Sequence, residues 1–309
     1  MSRLALSDSD KQARDWFVET TKALGCDVKI DAMGNIFAVR PGRKNAPPTY
    51  AGSHLDTQPT GGRYDGILGV HAGIEALRTM NDLNIQTEFP TEEGARFPKS
   101  MVSSGVWAHD IPLSSAHNLL EVNGTAAMKS ELERIGYLGS MPASYSSNPI
   151  GAHFELHIEQ GPILERSKTR IGVVTGVQAY SWHTITVRGR DCHTGTTDFE
   201  NRSDAMLTAA KLILHSHNKA AEMGCLASTG ILTLKPGSTN TVPGLPGAVS
   251  NAFMRMVSGA GHDRIFVPCK DGVSHNPAEY CSPEDCGNGA QVLLGAILRY
   301  DRIRASRGA

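Results

Sequence analysis

Five side chains set far apart in this chain have the chemistry of a divalent-metal site: His54, Asp65, Glu93, His157 and His275. His54 opens His54-Leu55-Asp56, and on a strand the side chains of i and i+2 share a face. Asp56 is thereby placed to hydrogen-bond the far ring nitrogen of His54 and fix its tautomer. A buried histidine salt-bridged for packing has the same spelling. Asp65 follows in Gly61-Gly62-Arg63-Tyr64-Asp65-Gly66, where glycines let the backbone fold back toward His54, although an Asp-Gly taken singly is usually only a turn. Glu92-Glu93 sets two carboxylates side by side at a strand end, and these repel unless a cation or a proton intervenes. One as ligand and one as general base resolves the conflict; a solvated acidic turn is the plain alternative. His157-Ile158-Glu159 repeats the strand spacing of His54, and Ser274-His275-Asn276-Pro277 puts another imidazole in a loop after a buried strand.

Three imidazoles and two carboxylates suit zinc or a similar first-row ion, whereas magnesium and calcium prefer all-oxygen shells. Two such ions bridged by Asp65 would make a water nucleophilic at neutral pH. Glu92 would take the proton of that water during attack on a carbonyl carbon and return it to the leaving amine.

These residues have to be delivered by strands and loops. Apolar spacing predicts a helix over Asp8–Leu24 stopped by Gly25, a hairpin of Val28–Ile30 and Ile36–Val39, and a buried strand at Thr49–Ala51 that opens into the glycine-rich loop. A helix from about Leu68 to Met80, a short strand at Ile85–Phe89, a helix at Met128–Ile135 and strands at His153–Ile158 and Ile171–Val174 follow. The pattern then changes to a strand at Ser181–Val187, a helix at Ser203–His217 and strands at Gly230–Leu234 and about Ala248–Asn251. That run reads as a smaller α+β domain inserted into the first. Ile265–Pro268 is a last buried strand and Gly287–Tyr300 a closing helix.

The 309 residues predict two domains, or one with an insertion. With 40% hydrophobic residues, 20% charged residues and a formal net charge of -1, the chain is of ordinary globular composition. Nothing in it is basic enough for nucleic acid, and no polybasic run or long apolar stretch speaks for a membrane. Met1 to Lys11 is polar throughout, without the apolar core of an export signal. The six cysteines are scattered with no Cys-x-x-Cys pair, which predicts a reducing, cytoplasmic setting with free thiols.

Several strings, in order along nearly the whole chain, resemble the hydantoinase/carbamoylase amidohydrolases of the zinc exopeptidase and aminoacylase superfamily. They are Gly-Ser-His-Leu-Asp-Thr-Gln-Pro-Thr-Gly-Gly-Arg-Tyr-Asp-Gly (52–66), Glu-Glu-Gly-Ala-Arg-Phe (92–97), Leu-His-Ile-Glu-Gln-Gly-Pro (156–162), His-Thr-Gly-Thr-Thr (193–197), Asn-Thr-Val-Pro-Gly (240–244), Gly-Ala-Gly-His-Asp (259–263) and Asp-Gly-Val-Ser-His (271–275). The group includes β-ureidopropionase, N-carbamoyl-L-amino-acid hydrolase and allantoate amidohydrolase. The resemblance implies an α/β, zinc-exopeptidase-like catalytic domain over 1–172 and 255–309, and a ferredoxin-like α+β lid and dimerisation domain over 173–254. It implies two divalent ions, zinc or else manganese, cobalt or nickel, on His54, bridging Asp65, Glu93, His157 and His275, with Glu92 as base. His193 and Asn240 match lid residues that reach the partner subunit's substrate in the family, and Gln160 and His262 match further substrate-binding positions.

The expected reaction is hydrolysis of N-carbamoyl-β-alanine or an N-carbamoyl-L-amino acid to amino acid, carbon dioxide and ammonia. Allantoate hydrolysis or an aminoacylase-like peptidase is the alternative within the same chemistry, and a catalytically dead homologue the alternative outside it. The chain departs from the family pattern in three places. An apolar strand before Thr91 is missing, the second half of the lid with its carboxylate-binding arginine is missing, and a helix between Asp263 and Ile265 is reduced to Arg264. The lid, and with it the homodimer surface, is therefore expected in shortened form.

Overall fold

Ser7 starts the first helix: its hydroxyl accepts the Asp10 amide, and Asp8 and Asp10 lie in the first turn of α1 (Asp8–Ala23), where the helix dipole favours negative charge. The fully buried Arg14 donates to the Asp10 carboxylate at 2.7 Å and to the Gly34 carbonyl at 2.8 Å. These bonds tie α1 to the hairpin of β1 (Asp27–Ile30) and β2 (Ile36–Arg40), whose turn Asp31 closes by accepting the Met33 and Asn35 amides. Removing one partner of a buried pair strands the other charge, at a cost of about 3–5 kcal/mol. Asp10→Ala is therefore expected to lower the unfolding free energy by about that amount in a urea titration. A loss within the noise of the measurement would show that the pair holds nothing in place.

This computed structural model describes all residues except 88–90, 96–101, 122–123, 235–237, 245–246, 258–262 and 308–309; of 91–95, 177–182, 247–257 and 263 it describes the backbone. The chain divides into two compact units, 1–174 with 262–309, and 175–261. The return crossing comes later than 255 because the last strand of the second unit continues to Val257.

The first unit adds β3 (Thr49–Ser53), α2 (Ile67–Asp82), β4 (Thr91–Ala95), α3 (Val102–Trp107), α4 (Leu113–His117), α5 (Met128–Ile135), β5 (Ala152–Ile158), α6 (Ile163–Ser167) and β6 (Gly172–Val173). The second unit contains β7 (Val177–Val187), β8 (Cys192–His193), α7 (Ala205–Glu222), β9 (Leu226–Leu232), β10 (Thr241–Val242) and β11 (Gly247–Val257), and the chain closes in the first unit with β12 (Asp263–Val267) and α8 (Pro283–Ser306). A seven-stranded sheet of order β1-β2-β4-β3-β5-β12-β6 runs through the first unit. Its four central strands β4, β3, β5 and β12 are parallel. All five residues of β3 are buried, as expected of a strand covered on both faces. Leu156, Ile158 and Val267 pack with Ala72 and Ala76 of α2 and Leu293 and Ile297 of α8, so the centre of the sheet is fixed by one apolar cluster. Among the described residues no helix is long and apolar enough to cross a membrane.

In the second unit β7, β9 and β11 form an antiparallel sheet of order β7-β11-β9, and with α7 they follow the order of the first four elements of a βαββαβ arrangement. The five residues between β11 and β12 leave no room for a further helix and strand. Of the strand expected at Ile85–Phe89, 85–87 are irregular and 88–89 lie outside the described residues. Thr91–Ala95 lies between β2 and β3 and pairs with both.

Candidate metal centre

The parallel strands β3, β5 and β12 end on one edge of the sheet, the usual place for a site in such a layout, and the loops that follow them carry the polar residues. His54 is the first residue after β3, and His157 lies one residue before the end of β5. His54 Nδ1 bonds the main-chain oxygen of Asp56 at 2.9 Å, with the Asp56 carboxylate at 3.5 Å. His157 Nδ1 bonds the Ile158 carbonyl at 2.7 Å. Both carbonyls require N–H at Nδ1, which leaves the Nε2 lone pair free to ligate. The hydrogen bond to Nδ1 thus runs to the Asp56 backbone, where the side chain was expected, and the carboxylate acts on the ring through its charge.

Each of those Nε2 atoms faces Asp65 Oδ1, His54 at 3.5 Å and His157 at 3.1 Å, while His275 Nε2 lies 3.4 Å from Asp65 Oδ2. Lone pairs aimed at a carboxylate repel it unless something positive stands between. For metal–ligand bonds of about 2.0–2.1 Å, the ligand atoms of a tetrahedral shell lie roughly 3.3 Å apart, which matches these separations. Among the described residues His54, Asp65 and His157 are the group whose donor atoms converge tightly enough for one ion. The electrostatics agree. Burial alone would lower the His54 pKa, but the Asp56 and Asp65 carboxylates outweigh it and hold it well above the usual histidine range. Burial would raise Asp65, and the His157 and His54 rings instead hold its carboxyl far below the carboxylate range.

The loop between β3 and α2 needs its glycines. Gly66 has φ +72°, and a Cβ there would stand 2.4 Å from the His54 ring; a Cβ on Gly62 would stand 2.3 Å from Glu279. Gln160 and His275 themselves take left-handed backbone, with φ 57° and 54°, a strain of the kind found at functional sites. The Gln160 amide donates to Asp65 Oδ1 at 3.2 Å and Ser274 Oγ at 2.8 Å, and its nitrogen lies 3.2 Å from His275 Nε2. Two residues before His157 on β5, Glu155 accepts from Ser53 Oγ at 2.6 Å and Arg264 Nε at 2.7 Å. Burial pushes its carboxyl up, but Arg264, His157, His153 and the Ser53 bond pull it down to about 2.

The structure thus brings together His54, Asp65, His157, His275 and Gln160, with Asp56 behind them. Glu159, spaced like Asp56, instead caps α6 through the Ile163 and Leu164 amides. Glu92 and Glu93 do not sit at a strand end: they lie within β4, Glu93 paired with Ala38 and Ala51, three residues before His54. Their side chains lie outside the described residues, as does the whole of His262. In the second unit His193 pairs with Thr241 across β8 and β10, and the Thr194 amide donates to the Asn240 carbonyl at 3.0 Å, so His193 and Asn240 are neighbours.

Sequence reasoning missed Glu279. It is 4% exposed, and one of its oxygens accepts the Tyr64 amide at 2.9 Å and the Asp65 amide at 3.0 Å. The paired glycines at 61 and 62, which imply a close neighbour, were the only trace of it in the sequence.

Comparison with known proteins places the chain in a family. Residues 50–299 match peptidase family M20/M25/M40. An N-carbamoyl-L-amino-acid amidohydrolase of Rhizobium meliloti is 35% identical over 98% of this chain and 92% of its own length. A ureidoglycolate hydrolase of Arabidopsis thaliana is 30% identical over 95% of this chain and 80% of its own. The crystal structure of a hydantoinase/carbamoylase-family amidase from Burkholderia vietnamiensis superposes with a TM-score of 0.88 at 35% identity, covering 97% of this chain and 92% of that one. The Rhizobium alignment spans 384 positions, of which 98% of 309 residues fill about 303, so roughly 80 positions have no residue in this chain.

Proposed function

The chain belongs to peptidase family M20/M25/M40, among its hydantoinase/carbamoylase amidases, and from that premise we propose that it hydrolyses the ureido carbon–nitrogen bond of an N-carbamoyl-L-amino acid to amino acid, carbon dioxide and ammonia. The observation that carries this reading is the division of the imidazoles by Asp65, two on Oδ1 and one on Oδ2. A carboxylate used on both oxygens is suited to bridging two cations. His54, His157 and Asp65 would hold one ion, and His275, Glu93 and Asp65 the other, zinc being the choice that best suits this donor set.

When bound, the ions supply Lewis-acid charge that polarises the ureido carbonyl and makes water nucleophilic at neutral pH. Glu92 takes the proton of the attacking water and returns it to the leaving amine. Gln160, whose amide already spans Asp65 and His275, has further hydrogen-bonding capacity for substrate. His193 and Asn240 are assigned to the substrate in the partner subunit, at the carbonyl oxygen as charge develops on it, with His262 as a further substrate contact. The second unit is assigned as the lid and homodimer surface, and the free thiols accord with a cytoplasmic protein.

The test is ammonia release by metal-loaded protein from N-carbamoyl-L-amino acids, N-carbamoyl-β-alanine, ureidoglycolate and allantoate, beside an N-acetyl amino acid. Turnover that depends on added Zn²⁺, Mn²⁺ or Co²⁺ and is fastest on an N-carbamoyl-L-amino acid is expected. No ammonia from any ureido compound, with metal bound, would leave a binding protein in place of the enzyme.

A further inference from the structure

The Asp65 carboxylate serves the site on both oxygens, so its position must be held from behind. Glu279 is the residue that does this. Its Oε1 accepts the consecutive Tyr64 and Asp65 amides, and its Oε2 accepts the Ser274 hydroxyl at 3.1 Å. Ser274 Oγ in turn accepts from Gln160, and Gln160 donates to Asp65 Oδ1. The bonds close a ring, Asp65 to Glu279 to Ser274 to Gln160 and back to Asp65, which joins the loops after β3, β5 and β12. Ser274 is the neighbour of His275, so the ring reaches the imidazoles on both Asp65 oxygens.

Two features show that the ring is built for a carboxylate. Glu279 is buried and fills the space that a Cβ on Gly62 would need. Two successive backbone N–H groups converge on a single oxygen, a charge-assisted pairing stronger than a neutral one. We propose that Glu279 is the positioning residue of the metal centre, a buried carboxylate that clamps the Asp65 loop to the His275 loop and sets the spacing of the two groups of imidazoles. The proposal rests on the metal-binding reading above.

Hydrogen exchange and Co²⁺ titration of the full-length chain test it together. In Glu279→Ala the amides of Tyr64 and Asp65 are expected to lose protection, and Co²⁺ affinity to fall by about 10–100-fold, the usual effect of removing a partner that orients a ligand. Glu279→Gln keeps an oxygen for both amides but loses the charge, and is expected to recover protection and affinity in part. Gly62→Ala, whose new Cβ would displace Glu279, is expected to copy Glu279→Ala, and the double variant to add nothing. Unchanged exchange in Glu279→Ala overturns the clamp, and unchanged Co²⁺ affinity or additive Gly62 and Glu279 effects overturn the positioning role. If the wild-type chain takes up no Co²⁺, the metal-binding reading fails, and the exchange measurement alone accepts or rejects the clamp.

Discussion

Asp65→Ala is expected to give a folded chain that retains no stoichiometric metal and loses more than about a thousandfold in kcat/KM, well beyond the 10–100-fold that loss of a ligand's hydrogen-bond partner costs. The reason is geometric. Asp65 lies within 3.5 Å of three imidazoles, and no other described carboxylate reaches any two of them. Without it the chain keeps three imidazoles and Glu93, a single negative charge against two dications, and loses the carboxylate that faces all three rings. Folding is spared because the loop is held from behind, through the main-chain amides of 64 and 65 on Glu279. Metal analysis of purified protein reads the outcome: about two ions per wild-type chain and none in the variant, with similar unfolding midpoints. Two ions in the variant would mean that Asp65 does not bridge.

His54 and His157 were legible because each stands where a strand pattern ends. Buried β3 stops at Ser53 and hands over to His54, and the alternation of β5 runs out at His157-Ile158. Residue type and position agree there, so the sequence alone points at the site. Glu279 was not legible, since its role comes from closeness to Gly62 and Asp65 more than two hundred positions away. A lone Glu in Asn276-Pro277-Ala278-Glu279 has no local signature. Nor did the start of α8 announce itself by periodicity: it begins at Pro283 behind a Ser282 cap, four residues before the expected Gly287. That signal, a capping serine followed by proline, was there to be read.

The strand β4 shows a different limit. The family resemblance implies that an apolar strand is missing between Phe89 and Glu92, but not what the fold does about it. β2 and β3 each present an unpaired edge to the same slot, and leaving both open would expose two rows of backbone donors and acceptors. The next residues in the chain, Thr91–Ala95, are used. A polar segment is thereby drawn into a central position, and Glu92 and Glu93 become strand residues. In the second unit, among the described residues, β7 stays at the edge of a three-stranded sheet.

That register makes Glu92→Gln the sharpest test of catalysis. Glu93 stands beside Ala51, so the level of His54 lies three residues, about 10 Å of strand, further on. If Glu92 is the base, the pair reaches the centre in the working protein, and glutamine, equal in size but unable to take a proton, is expected to lower kcat by about 10²–10⁴-fold. KM and metal content should stay near wild type, because the substitution removes no ligand. Glu93→Gln should differ, losing one ion of two as well as turnover. Steady-state ammonia release together with metal analysis separates the two. A Glu92→Gln protein that keeps its full rate would remove the base from the mechanism and leave proton transfer to another group near Asp65. The shifted strand would then be the reason why the carboxylate pair, though present in the chain, does no chemistry.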